Sequence, residues 1–129
     1  MVKNIINKDF LKLYGNTSVR DAIEMFKKSK CSEAYYTDEK GILINKILLT
    51  DLLDLKVSRL IKSVVLKKSL IINSDENLID VMEKCKDFVG ESIPVTDKSQ
   101  KLLGIFSEND LFIYYSRAQE IRKTEETKS

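Results

Sequence analysis

Apolar residues recur at the i, i+3, i+4, i+7 spacing of a one-faced helix in two places. The first stripe is Val19, Ala22, Ile23 and Phe26, and the second is Leu78, Val81, Met82 and Cys85. Each follows a capping pattern, with Ser18 three residues before Asp21 and Asn77 three before Asp80. A short apolar strand is predicted ahead of each helix, at residues 10–14 and 70–72. Two more strands follow each helix. They are residues 34–37 and 42–49 around the polar turn Asp38-Glu39-Lys40-Gly41, then residues 93–96 and 102–106 around residues 97–101. A last helix opens at Thr50-Asp51 in the first half and within residues 107–110 in the second. The first of these is predicted to run through Leu52, Leu53, Val57, Leu60 and Ile61 and to link the halves. The order β-α-β-β-α is thus written twice, an α/β (α+β) pattern.

The two halves are also one segment written twice. Residues 2–53 overlay residues 61–112 at an offset of 59 with no gap. Lys3, Lys8, Leu11, Asp21, Glu24, Lys27, Thr37, Asp38, Leu43, Asp51 and Leu52 each meet an identical residue, eleven identities in 52 pairs. Ordinary composition would give about four. Two units are too few for a solenoid, which needs more repeats to build a continuous core. A pair docked about a pseudo-two-fold axis fits instead, and clefts between such halves are where ligands go. The repeats are assigned to residues 1–58 and 59–116, with a charged tail at 117–129. The leading segments, residues 2–6 and 61–65, are expected to pack on the partner repeat. The polar stretch after Tyr115 is expected to continue as an exposed helix and then fray.

Charge and composition narrow the function. Twenty-two basic and 20 acidic residues leave a formal charge of +2, so no strong field favours nucleic acid. Apolar runs are as short as Ile47-Leu48-Leu49, and direct membrane insertion is not expected. Met1-Val2-Lys3-Asn4 runs straight into the first repeat without a signal-peptide pattern. Cys31 and Cys85 occupy non-equivalent repeat positions and have no metal-ligand spacing, and Cys85 replaces Phe26 on the apolar face as a core thiol. The chain reads as a reduced, cytoplasmic protein. Histidine is absent, which removes the commonest general acid-base and nitrogen metal ligand. One Pro and four Gly leave no Gly-rich phosphate loop. Neither catalysis nor a metal requirement is expected.

The second repeat ends its last strand with Gly104-Ile105-Phe106-Ser107-Glu108-Asn109-Asp110, after the strand Ile93-Pro94-Val95. With these motifs the chain resembles a tandem pair of cystathionine-β-synthase (CBS) domains, or Bateman module, over nearly all of residues 2–115. The resemblance implies an adenosine nucleotide (ATP, ADP or AMP) bound by Gly-x-x-Ser/Thr-x-x-Asp, with the carboxylate on the ribose hydroxyls and the Ser/Thr on phosphate. A carboxylate accepts two hydrogen bonds from a vicinal diol, and Gly104 would let a ligand approach the backbone without a Cβ in the way. Ser107-x-x-Asp110 is equally a capping box, in which Asp110 serves the Ser107 N–H. In the first repeat Asn45 replaces the Gly and Leu48 the Ser/Thr, so Asp51 survives alone and that site is expected to be degenerate.

The family's geometry implies a composite site. Ser107, Asp110 and Gly104, with Ile93 and Pro94 of the preceding strand, would meet Ser32, Glu33, Ala34 and Tyr35 and the strand 11–13 of the first repeat. Tyr35 stands where the second repeat has Pro94; it either stacks on adenine or fills an interface. Residues 90–95 with 107–112 also resemble the cytoplasmic tails of CLC-type chloride channels and transporters. That likeness implies a covalently linked membrane channel domain and a position on the cytoplasmic face of a membrane. The expected function is regulation by a nucleotide bound between the repeats, and the alternative is a ligand-free scaffold. Either would be a homodimer through helices that include residues 50–61 and 110–119.

Overall fold

The computed structural model describes residues 2–64, 66–86 and 92–128. Val65 of the second leading segment, Gly90 and Glu91 of the channel-like stretch, and the tail residue Ser129 lie outside the described residues. Each repeat builds a three-stranded sheet with one helix on it. In the first, β1 (Leu11–Leu13) runs parallel to β2 (Glu33–Thr37), which pairs antiparallel with β3 (Leu43–Leu48). Between β1 and β2 lies α1 (Val19–Ser29), its N-terminus capped by Ser18 Oγ accepting from the Asp21 N–H at 3.1 Å. In the second, β4 (Ile72–Asn73), β5 (Ser92–Thr96) and β6 (Leu102–Ser107) repeat that order around α3 (Leu78–Cys85); the short α2 (Leu49–Leu52) separates the sheets in sequence. Asn77 caps α3 through the Asp80 N–H at 2.9 Å. A final helix, α4 (Glu108–Lys128), follows β6.

The 59-residue offset survives in the strand register. Leu13 pairs with Tyr36 as Ile72 pairs with Val95, Glu33 faces Leu48 as Ser92 faces Ser107, and both hairpins shift register after the residue pair Tyr36 and Val95. Residues that touch their own equivalents mark the pseudo-two-fold axis. Ile42 bridges Lys101, with Leu43 N–H to Gln100 O and Leu102 N–H to Gly41 O both at 3.0 Å.

The leading segments are exchanged. Val2, fully buried, joins the second repeat's core with Ile72, Val81, Val95 and Phe106, and Ile5 and Ile6 pack on it. Ile61 is likewise fully buried in the first repeat's core with Leu13, Phe26 and Ile47, backed by Val64 and Leu66. Each repeat therefore lacks a complete core without the other's leader.

Two sequence expectations are corrected. The helix expected across residues 50–61 stops at Leu52. The chain beyond it turns and bends, and its Arg59 and Val57 carbonyls accept from the Val19 and Arg20 N–H groups at the start of α1, at 2.7 and 3.0 Å. Strand β4 lies at Ile72–Asn73 rather than 70–72, since Pro94 on β5 has no N–H to offer a longer parallel pairing. Beyond Tyr115 the charged tail continues in α4 through Lys128.

Candidate functional site

The two motif aspartates sit at equivalent places and make the same bond. Asp110 Oδ2 accepts from the Ser107 N–H at 2.9 Å, and Asp51 Oδ2 accepts from the Leu48 N–H at 2.9 Å. In the second repeat Ser107 Oγ returns the favour by accepting from the Asp110 N–H at 3.1 Å, completing a capping box that Leu48 has no oxygen to complete. Among the described residues, Oδ1 of both carboxylates accepts no protein hydrogen bond. Capping and ligand binding are therefore compatible, because one oxygen serves the helix and the other has no partner among the described residues.

What lies beside each aspartate differs, and position 104/45 is the reason. Gly104 is buried against the first leader: a Cβ there would meet Asn7 O at 2.8 Å and Ile6 Cβ at 3.1 Å. Its missing side chain makes room for the Asn7 carbonyl and the Ile6 side chain. Asn7 then exchanges two backbone hydrogen bonds with Ile105, at 2.6 and 2.9 Å. The space the sequence assigned to one composite site is accordingly divided. Asp110 borders a cleft of about 180 Å³ with Asn4, Ile5, Tyr114 and Arg117. Ser32, Glu33 and Tyr35 border another of about 270 Å³ with Phe10, Ser92 and Ile105.

In the first repeat, Asn45 meets the second leader through its side chain instead. Its Nδ2 donates to Lys67 O at 3.1 Å and its Oδ1 accepts from Ser69 Oγ at 3.2 Å. One cleft of about 630 Å³ opens there, bordered by Leu48, Asp51, Arg59, Lys67, Lys68 and Ser69 among others. The Cβ expected to spoil this site instead belongs to a side chain that holds the leader, and the larger cleft is the one beside Asp51.

The remaining candidate residues serve packing. Ala34 is fully buried in the first repeat's core, Ile93 is buried in the second's, and Pro94 is buried in β5 opposite Ile105. Tyr35 is 1% exposed, its ring edge-on to Phe10 at 5.6 Å and its hydroxyl 2.5 Å from Ser92 Oγ, so it fills the inter-repeat interface. Phe10, half-buried, presents the aromatic surface to that cleft. Its only sequence signal is an aromatic residue where the second repeat has Ser69.

Sequence reasoning also missed a polar knot on the axis. Glu33 and Ser92, equivalent in the repeat, bond each other through the Ser92 hydroxyl and N–H, while Lys46 Nζ reaches Glu33 at 3.1 Å and Ser92 O at 2.7 Å. Elsewhere, burial pushes the Cys85 thiol above its ordinary range, as suits a core residue. Among the described residues, no group of three or more His, Cys, Asp or Glu side chains is placed to hold a metal. No helix among them is long and apolar enough to cross a membrane.

Comparison with known families agrees with this duplicated architecture. The CBS domain model matches twice, at residues 2–58 and 61–117. The chain belongs to the CBS domain family. CBS pairs are regulatory, non-catalytic modules. The magnesium transporter MgtE of Enterococcus faecalis is 26% identical over 112 residues, which are 83% of this chain and 25% of the transporter. The chain thus spans about a quarter of that relative's length. Among solved structures, the cytosolic domain of the Mg2+ channel MgtE in complex with ATP superposes with a TM-score of 0.74 at 18% identity, covering 84% of this chain and 46% of that one. The CBSX2 protein in complex with AMP gives a TM-score of 0.76 at 19% identity, with coverage of 92% and 97%. At those identities the likeness is one of fold.

Proposed function

We propose that this CBS pair is a regulatory sensor that binds an adenosine nucleotide in the cleft beside Asp51, with the Asp110 side as a second, narrower site. One observation carries the reading: the repeated carboxylate, with one oxygen unbonded among the described residues, borders a cleft whose other wall is the second repeat's leader. A ligand there touches both halves at once. Its differential affinity for two inter-repeat packings biases one over the other, and a linked effector reads that bias. Fold relatives solved with ATP and with AMP support an adenosine ligand.

The effector we infer is a membrane ion transporter acting from the cytoplasmic side, in line with the magnesium transporter relative. A CLC-type partner finds no support among the relatives described above, whose transporter carries magnesium. Isothermal calorimetry with adenosine, AMP, ADP and ATP tests the reading. Nucleotide should bind, and Asp51→Ala should weaken it at least about tenfold through loss of a charged acceptor. Asp110→Ala should cost less. Absence of heat with all four ligands would sink the sensor reading.

A scaffold role has its own support. Phe112 is 66% exposed, and Ile113 and Tyr115 expose 41% and 38% on the same helix. We infer that this face joins a second copy of the chain, with or without nucleotide.

A further inference from the structure

We propose that the Asp51 cleft selects nucleotides by phosphate number, favouring di- and triphosphates, and that Lys67, Lys68 and Arg59 are the residues that count the charge. This rests on the nucleotide reading above and extends it from the nucleoside to its phosphates.

The cleft's borders carry four cations and one carboxylate: Lys46, Arg59, Lys67 and Lys68 against Asp51. Lys46 is already matched, since its side chain is 6% exposed and its ammonium pairs with Glu33 at 3.1 Å. Arg59 is anchored by Ser63, whose Oγ accepts from Nε at 3.3 Å and whose carbonyl accepts from Nη2; its remaining N–H groups are uncommitted. Lys67 and Lys68 are exposed, and the Lys67 carbonyl is tied down by Asn45. Among the described residues, three cations without an anionic partner thus border the same cleft as one aspartate.

The equivalent positions on the other side do not repeat this. By the 59-residue offset Lys68 corresponds to Asp9, Lys46 to Ile105 and Arg59 to Ala118, and only Lys67 keeps its charge, as Lys8. The cleft of Phe10 and Tyr35 is bordered by the acids Asp9 and Glu33, and that of Asp110 balances one carboxylate against Arg117. A ribose needs a single carboxylate and would suit either side. Each added phosphate brings charge that, of these three clefts as bordered by the described residues, the Asp51 cleft attracts most.

Calorimetry with metal-free AMP, ADP and ATP at low and moderate salt decides the matter. ATP should bind on the order of tenfold or more tighter than AMP, and its affinity should fall more steeply with salt. The double variant Lys67→Ala/Lys68→Ala should bring ATP down to the AMP level while changing AMP itself little. Lys27→Ala/Lys28→Ala removes the same charge from the exposed face of α1 and should leave ATP affinity intact, which separates local contact from net charge. AMP and ATP binding equally would overturn the selectivity and leave the sensor standing, as would an unaffected Lys67/Lys68 double variant. No binding of any nucleotide would overturn both.

Discussion

Gly104 and Asn45 occupy one position of the repeat and solve the same problem in opposite ways. A leader strand must cross the sheet there. Gly104 lets it pair directly with β6, whereas Asn45 holds it by side-chain hydrogen bonds and leaves a cleft. Gly104→Ala should therefore lower stability by about 1–3 kcal/mol, the usual cost of one extra methyl in a packed site. Urea denaturation would show this as a lower midpoint with an unchanged slope. The amides of Asn7 and Ile105 should lose hydrogen-exchange protection along with it. An unshifted midpoint would mean that the leader yields without cost and that Gly104 serves something else. The motif was legible in the sequence at this scale; its role was not. The atom that makes a Cβ intolerable belongs to Asn7, nearly a hundred residues away along the chain.

At the scale of elements, the strongest consequence of the duplication is the exchange of leaders. Val2 has no exposed surface and lies in the core of the repeat it does not belong to. Val2→Ala should cost about 1.5–3 kcal/mol from lost burial and the cavity left behind. A chain starting at Asn7 should lose more, with β4–β6 exposed first. If its denaturation midpoint matches that of the full chain, the exchange contributes nothing to stability. Both amphipathic helices, α1 and α3, and the hairpins were readable from period and turn chemistry, because each is decided by neighbours in sequence. The helix expected over residues 50–61 failed for a non-local reason. Its apolar spacing is genuine, but the backbone at Val57 and Arg59 is taken by the N-terminus of α1. Strand β4 was misplaced for a related reason, since the missing donor is Pro94 on the neighbouring strand. The clefts were legible only as a place between repeats. Their relative size depends on how each leader is held, and no periodicity carries that.

For the whole molecule the question is what the duplication leaves uncovered. On the axis, Glu33, Ser92, Tyr35 and Lys46 form a polar knot, and the hairpins bond across Ile42 and Lys101, so the repeats are tied together between their clefts. Leu52 and Leu111, which lie within the segments read as dimer helices, are buried in their own repeats. Among the described residues, Tyr14, Ile44, Ile71 and Ile79 are exposed singly, Leu53 and Val57 are exposed at the first repeat's end, and Phe112, Ile113 and Tyr115 are exposed together on α4. Side chains of this size concentrated on one helix mark an interaction surface rather than the scattered apolar exposure of a monomer. Beside them lies a largely apolar groove of about 240 Å³ bordered by Met82, Cys85, Phe106 and Leu111, which an aromatic side chain from a second copy could enter. Sedimentation velocity on the whole chain at about 50 µM should then report a dimer, in equilibrium with monomer on dilution. Phe112→Ser combined with Tyr115→Ser should shift it to monomer without lowering the denaturation midpoint of the monomeric unit, because neither side chain belongs to a buried core. A single species of 14.9 kDa at that concentration would remove the dimer. It would leave α4's exposed face to whatever the module regulates.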